Sequence, residues 1–151
     1  MSLQDWLREG RLHRHRTSAG EAAKLLRVVE RDSADASLRQ LSPDRRFATA
    51  YNAALQLATI ALYAAGFRSE GAGHHWITLQ ALSEIVGPES QERVDYLDAC
   101  RSKRNLTDYE EAGAISHGEA DKLLRETLAF KSDLMNWLKA NHPHLLWRPT
   151  R

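Results

Sequence analysis

Among its 151 residues the chain has one cysteine, Cys100, which excludes an intramolecular disulfide and fits a reducing compartment. It has almost no charge excess: 21 Lys plus Arg stand against 20 Asp plus Glu, a net of +1. So close a balance removes the global electrostatic argument for a nucleic-acid binder, which normally carries a basic surplus. Long hydrophobic runs are missing too. The most apolar stretch, Ala48 to Phe67, is interrupted by Thr49, Asn52, Gln56 and Thr59, so a buried helix is expected there and not a membrane span. No apolar run follows the basic start, so no signal peptide is expected, and a cytoplasmic protein with no membrane partner is the corresponding expectation. Strand signals are nearly absent, and there are no internal repeats or low-complexity tracts. The sequence also lacks a Walker-type loop, a dinucleotide fingerprint and zinc-ligand spacing, so neither a cofactor nor a metal is expected. Gly71-Ala72-Gly73-His74 is too short to cradle a pyrophosphate. The neighbouring His74 and His75 would point about 100° apart on a helix and would need further ligands to hold a metal.

Helix signals fill the space that these absences leave. Ser18-Ala19-Gly20-Glu21 has the pattern of a capping box, and Ala22, Ala23, Leu25, Leu26, Val28 and Val29 follow at helical spacing to an end near Asp32-Ser33. Ser42-Pro43-Asp44 joins an N-cap hydroxyl, a proline at the first helical position and a first-turn carboxylate. The helix it opens carries Phe47, Tyr51, Ala54, Leu55, Ala58 and Leu62 on one face, widened by Leu57, Ile60 and Ala61, so neighbours are expected on several sides. Gly66 should close it. Further helical segments run to Gly87-Pro88, from Val94 to the break at Ala112-Gly113-Ala114, and from the capping box Ser116-His117-Gly118-Glu119 to about Ala140. The expected fold is all-α: an antiparallel up-down bundle of four long helices with a short N-terminal helix around Leu3 to Leu7. Residues 1–16 are read as a basic N-terminal arm or short helix, 17–140 as the bundle, and 141–151 as a C-terminal tail. With Arg8, Arg11, Arg14, Arg16, His13 and His15, the first of these segments suits a solvated, partly disordered arm, phosphate contact being the rarer role.

The run Arg101-Ser102-Lys103-Arg104-Asn105-Leu106-Thr107-Asp108-Tyr109-Glu110 departs from this packing pattern. Positions 97, 101, 104 and 108 share one helical face, which begins as core at Leu97 and continues as Arg101, Arg104 and Asp108. A stripe that turns from apolar to polar is how a bundle helix delivers charged groups into a groove between helices. The same side chains also suit a plain Arg104–Asp108 i,i+4 pair, worth about 0.2–0.5 kcal/mol. As a groove, the stripe would hold phosphate through Arg101, Arg104 and Asn105, since guanidinium forks match phosphate oxygens.

Three segments in order resemble the HEPN superfamily of small all-α bundles. Arg45-Arg46-Phe47-Ala48-Thr49-Ala50-Tyr51-Asn52-Ala53-Ala54 looks like its first long helix. Arg104-Asn105-Leu106-Thr107-Asp108-Tyr109-Glu110 looks like its signature helix, and Ile115-Ser116-His117-Gly118-Glu119-Ala120 like the entry to its last. The likeness spans roughly residues 42–138. In active members an arginine and a polar residue are followed four to six positions later by histidine, and pairs from two subunits cleave RNA without metal. Arg104 and Asn105 match the first half of that motif, but Tyr109 and Glu110 stand where the histidine would be, as in a sub-branch with an arginine-to-aspartate-tyrosine pattern. The resemblance implies a homodimer that binds a nucleotide or RNA phosphate as part of a toxin–antitoxin or stress-defence system. The alternatives are a metal-independent ribonuclease toxin with Arg104, Asp108 and Tyr109 as catalytic residues, and a non-catalytic dimerisation protein. Tyrosine, with an ordinary pKa of about 10, would need a large downward shift to act as a base, whereas histidine would not. Relatives paired with a small nucleotidyltransferase antitoxin are adenylylated on a signature-helix tyrosine, which makes Tyr109 a candidate modification site.

Overall fold

The computed structural model describes residues 2–109 and 112–146, with residues 107–109 described by their backbone alone. Its elements run α1 (Leu3–Arg8), β1 (Leu12–Arg14), α2 (Ala19–Ala36), α3 (Pro43–Ala64), β2 (Phe67–Ser69), α4 (His74–Val86), α5 (Gln91–Tyr109) and α6 (His117–Asn141), with short 3-10 turns at Pro88–Ser90 and Pro143–Leu146. The chain is mostly helical. Among the described residues, five helices of 13 residues or more stand beside the short α1, where four were expected. The segments on either side of Gly87-Pro88, both read as helical from the sequence, are the separate helices α4 and α5, divided where proline removes an amide and glycine takes φ +124°; with α2, α3 and α6 they make five and not the four of the expected bundle.

The helix boundaries follow the capping chemistry closely. The Ser42 hydroxyl accepts from the Arg45 amide and Pro43 occupies the first turn of α3. Ser116 and Glu119 cap α6 reciprocally, each side chain accepting from the other's backbone amide. At α2 only half of the expected box forms. Ser18 accepts from the Glu21 amide, but the Glu21 carboxylate turns to the Thr17 hydroxyl at 2.7 Å and the His15 ring at 2.6 Å. That helix also runs to Ala36, past the expected end near Asp32-Ser33.

Helix α3 is the centre of the molecule and packs against α2, α4, α5 and α6. Twelve of its residues are buried, from Arg46 to Leu62, which is why its apolar surface is so broad. Each large apolar side chain fully removed from water contributes on the order of 1.5–3 kcal/mol, so this helix contributes much of the core's stabilisation. Leu97 and Val94 bring α5 to that core, and Leu123, Phe130, Leu134 and Leu138 bring α6.

One expectation needs correction. Residues 3–14 do not form a solvated arm: Trp6, 4% exposed, and Leu12 pack with Leu62, Phe67, Ile77 and Ala81 in a second, smaller core. The segment is also tied down by backbone pairing, because β1 and β2 form an antiparallel ribbon with Leu12 opposite Ser69, His13 opposite Arg68 and Arg14 opposite Phe67. Gly66, at φ +94°, turns the chain out of α3 into β2, and its carbonyl accepts from the His15 amide at 2.9 Å. The basic side chains are spread over the ribbon, with Arg11 lying over the Trp76 ring at 5.3 Å and Arg14 over Phe67 at 5.3 Å. At the other end, Pro143–Leu146 forms a 3-10 turn after α6 and buries Leu145 against the main core. No helix among the described residues is long and apolar enough to cross a membrane.

Candidate functional site

The α5 stripe changes character along its length as its spacing predicts. Leu97 is buried in the core, whereas Arg101 and Arg104 are only partly buried. Arg101 Nε donates to Asp98 Oδ1 at 2.9 Å, one turn earlier on the same helix. The Arg104 guanidinium lies over the Tyr51 ring of α3, 5.7 Å from its centroid. Its Nη1 also reaches the exposed Asn105 Oδ1 at 3.4 Å, too long to fix either side chain. Lys103 leaves the stripe and pairs with Glu119 of α6. Arg101, Arg104 and Asn105 therefore share the end of α5, with Arg104 seated on an aromatic face. The side chains of Asp108 and Tyr109, and all of Glu110, lie outside the described residues.

Two further residues meet the stripe from other helices. Tyr51 is 1% exposed, and its hydroxyl has no hydrogen-bond partner among the described residues. Burial pushes its phenol well above the ordinary tyrosine range, while the charges of Arg101 and Arg104 act in the opposite direction. His75, in the first turn of α4, sits 6.1 Å from the Tyr51 ring, centroid to centroid, and 4.4 Å from the His74 ring. Burial pushes its imidazole down to about 4, aided by His74 and by the positive charges of Arg104 and Arg101. His75 is consequently neutral near pH 7. Tyr51 was legible in the sequence only as one member of an apolar face, and His75 only as half of a histidine pair. Neither could be linked to Arg104 without the packing of α3, α4 and α5.

The other polar residues singled out by sequence lie elsewhere. His117 is at the start of α6, where its Nδ1 faces Arg46 Nη1 at 2.9 Å. Arg46 is 2% exposed and ties three elements together, donating also to the Ala36 carbonyl at 2.8 Å and the Asp121 carboxylate at 2.5 Å. Its position inside an apolar helix face concealed this role. Cys100 is buried, and its thiol is pushed up to about 11 by that burial, which makes it inert as a nucleophile. Among the described residues no group of three or more His, Cys, Asp or Glu side chains could hold a metal ion.

Two recesses of the molecule lie away from the arginine stripe. One of about 580 Å³ runs between α4, α5 and α6, with Tyr96, Phe130 and Trp137 in its walls. Another, of about 640 Å³, lies over α2 and α3 and includes Asp32 and Asn52. Neither has the convergence of cations, imidazole and unpartnered hydroxyl found around Arg104, so chemistry favours the stripe over volume. Comparison with family models, with curated proteins and with solved structures finds no match to this chain.

Proposed function

We propose that this chain is a HEPN-like module that binds the phosphate of a nucleotide or of RNA at the end of α5. The observation that carries this reading is the seating of Arg104 on the Tyr51 ring, beside Arg101, at the point where the core face of α5 turns polar. A guanidinium stacked on an aromatic face has little side-chain freedom left to lose when it meets an anion. Arg101 and Arg104 supply charge-assisted donors and Asn105 supplies an adaptable amide. In the same reading, α3 to α6 form the up-down bundle and two copies meet about a two-fold axis to complete the groove. A small nucleotidyltransferase antitoxin is the corresponding partner, with Tyr109 as its target.

Calorimetric titration of the purified protein with adenosine 5′-monophosphate and with a short single-stranded RNA tests the reading. Binding that falls at least tenfold in Arg104→Ala is the expected result. Absence of binding to either ligand refutes it and leaves the dimerisation reading. Cleavage of total RNA that is lost in Arg104→Ala would instead favour the ribonuclease alternative. Light scattering at micromolar concentration checks the dimer, and a strict monomer refutes that part.

A further inference from the structure

The recess of about 580 Å³ between α4, α5 and α6 has a size typical of small-molecule sites. Helices α5 and α6 both pack on α3, and Arg93 of α5 reaches Asp133 of α6 at 2.9 Å between them. The apolar surface of the recess comes from the buried Leu82, Phe130 and Leu134 and the half-buried Tyr96 and Trp137. Charge is set around that surface unevenly. Glu89, Glu92, Glu126 and Asp133 bring four carboxylates against the two cations of Arg93 and Lys122. Both cations are engaged within the fold. The Arg93 guanidinium pairs with Asp133 and lies 5.0 Å over the Phe130 ring, and the Lys122 ammonium lies 5.1 Å over the Tyr96 ring. Glu89, Glu92 and Glu126 are exposed and form no ion pair among the described residues.

The rings carry the same preference. Two of the three aromatic side chains in the walls already have a cation over the ring, supplied by the chain itself. Trp137, whose indole offers the strongest π face of the three, has none among the described residues. Its ring neighbour is His142, 5.0 Å away between centroids and tilted by 52°. Burial and the nearby His144 push the His142 imidazole below its ordinary value, so it brings no positive charge at pH 7. Asp133 lies one turn before Trp137 on the same face of α6, and helical side chains lean back over that turn. A carboxylate therefore stands beside the indole. We propose that this recess binds an organic cation with a flat apolar body, its ammonium over Trp137 beside Asp133 and its body on Leu82, Phe130 and Leu134. A metal ion would leave the apolar floor unused, and an anion would meet the surplus carboxylates. The site shares no residue with the phosphate reading, since Arg93 precedes Arg101 by about 12 Å along α5, so each stands or falls without the other. No covalent bond forms or breaks, and the ligand stays a protonated amine throughout.

The test uses the full chain at pH 7 and three probes that share one ring system and differ in charge: 2-naphthylmethylamine, 2-naphthalenemethanol and 2-naphthoate. In a nuclear magnetic resonance titration the amine should bind with a Kd below about 1 mM and move the Trp137 indole N–H resonance. The alcohol should bind at least about fivefold more weakly, and the naphthoate more weakly still. Trp137→Leu should weaken the amine by about fivefold or more. Because Trp137 also packs against the core, a second variant keeps the test independent of folding. Glu92→Gln combined with Glu126→Gln replaces two exposed carboxylates that hold no ion pair, and it should reduce the amine's advantage over the alcohol at least about twofold. Alcohol or naphthoate binding as tightly as the amine would overturn the proposal, as would a preference unchanged in the double variant. Absence of amine binding at millimolar concentration, or binding that leaves the Trp137 resonance in place, would overturn it equally.

Discussion

Replacement of Arg46 by methionine should lower stability sharply, because this guanidinium is the polar joint between α2, α3 and α6. It is 2% exposed and donates to the Ala36 carbonyl at 2.8 Å, to His117 Nδ1 at 2.9 Å and to Asp121. Methionine refills most of the volume, so the cost is chiefly polar. Stranding the Ala36 carbonyl at the C-terminus of α2 costs about 1–3 kcal/mol, and loss of the His117 bond a further ~0.5–1.5 kcal/mol. Asp121 contributes little to the sum, since Arg39 holds it at 2.6 Å from the solvent side. A destabilisation of about 2–4 kcal/mol follows, which for a domain of this size lowers Tm by roughly 5–15 °C. Urea unfolding followed by circular dichroism checks it, with the midpoint falling at constant slope. Arg39→Ala, which removes an exposed partner of the same carboxylate, should shift the midpoint by under about 0.5 kcal/mol. The reasoning is refuted if Arg46→Met unfolds within about 1 kcal/mol of the unsubstituted protein, or if the two variants are equal.

The remaining predictions concern protonation, a thiol and a cap. The His75 imidazole is held at about 4, below its unfolded value of 6.5, so the unfolded chain binds more protons between those limits. Its contribution to stability is therefore complete above about pH 6.5 and is lost as pH falls towards 4, and His75→Gln should flatten that part of a pH–Tm profile. Cys100, buried and pushed up to about 11, should react with a thiol reagent at pH 8 no faster than the protein unfolds, so immediate labelling of native protein would contradict its placement. Ser116→Ala removes one half of the reciprocal α6 cap and should cost about 0.5–2 kcal/mol in urea unfolding, with Glu119→Gln retaining most of the cap.

Local chemistry determined the helices and several of their ends by itself. Ser42-Pro43, Ser116 with Glu119, Gly66 and Gly87-Pro88 act within a few residues of their own positions, so their effect is readable from the chain alone. The passage of α5 from Leu97 to Arg101 and Arg104 was legible for the same reason, since helical period alone decides which residues share a face. The β1–β2 ribbon was not legible. Two three-residue strands carry too little periodicity to be recognised, and their pairing depends on residues 12 and 69 meeting across most of two helices. Tertiary structure likewise decided that Trp6 and Leu12 pack into a core, although the basic residues around them suit a solvated arm. It also turned the Glu21 carboxylate from its helix cap to His15, a partner supplied by the ribbon end. Most of all, it brought Tyr51 and His75 to Arg104. These residues lie on three helices, each placed by its apolar face, and no local rule specifies which polar side chain crosses the seam to meet another. Burial then made their chemistry, emptying the imidazole of its proton and leaving the phenol hydroxyl without a hydrogen-bond partner among the described residues, a consequence of desolvation that exists only once the helices have packed.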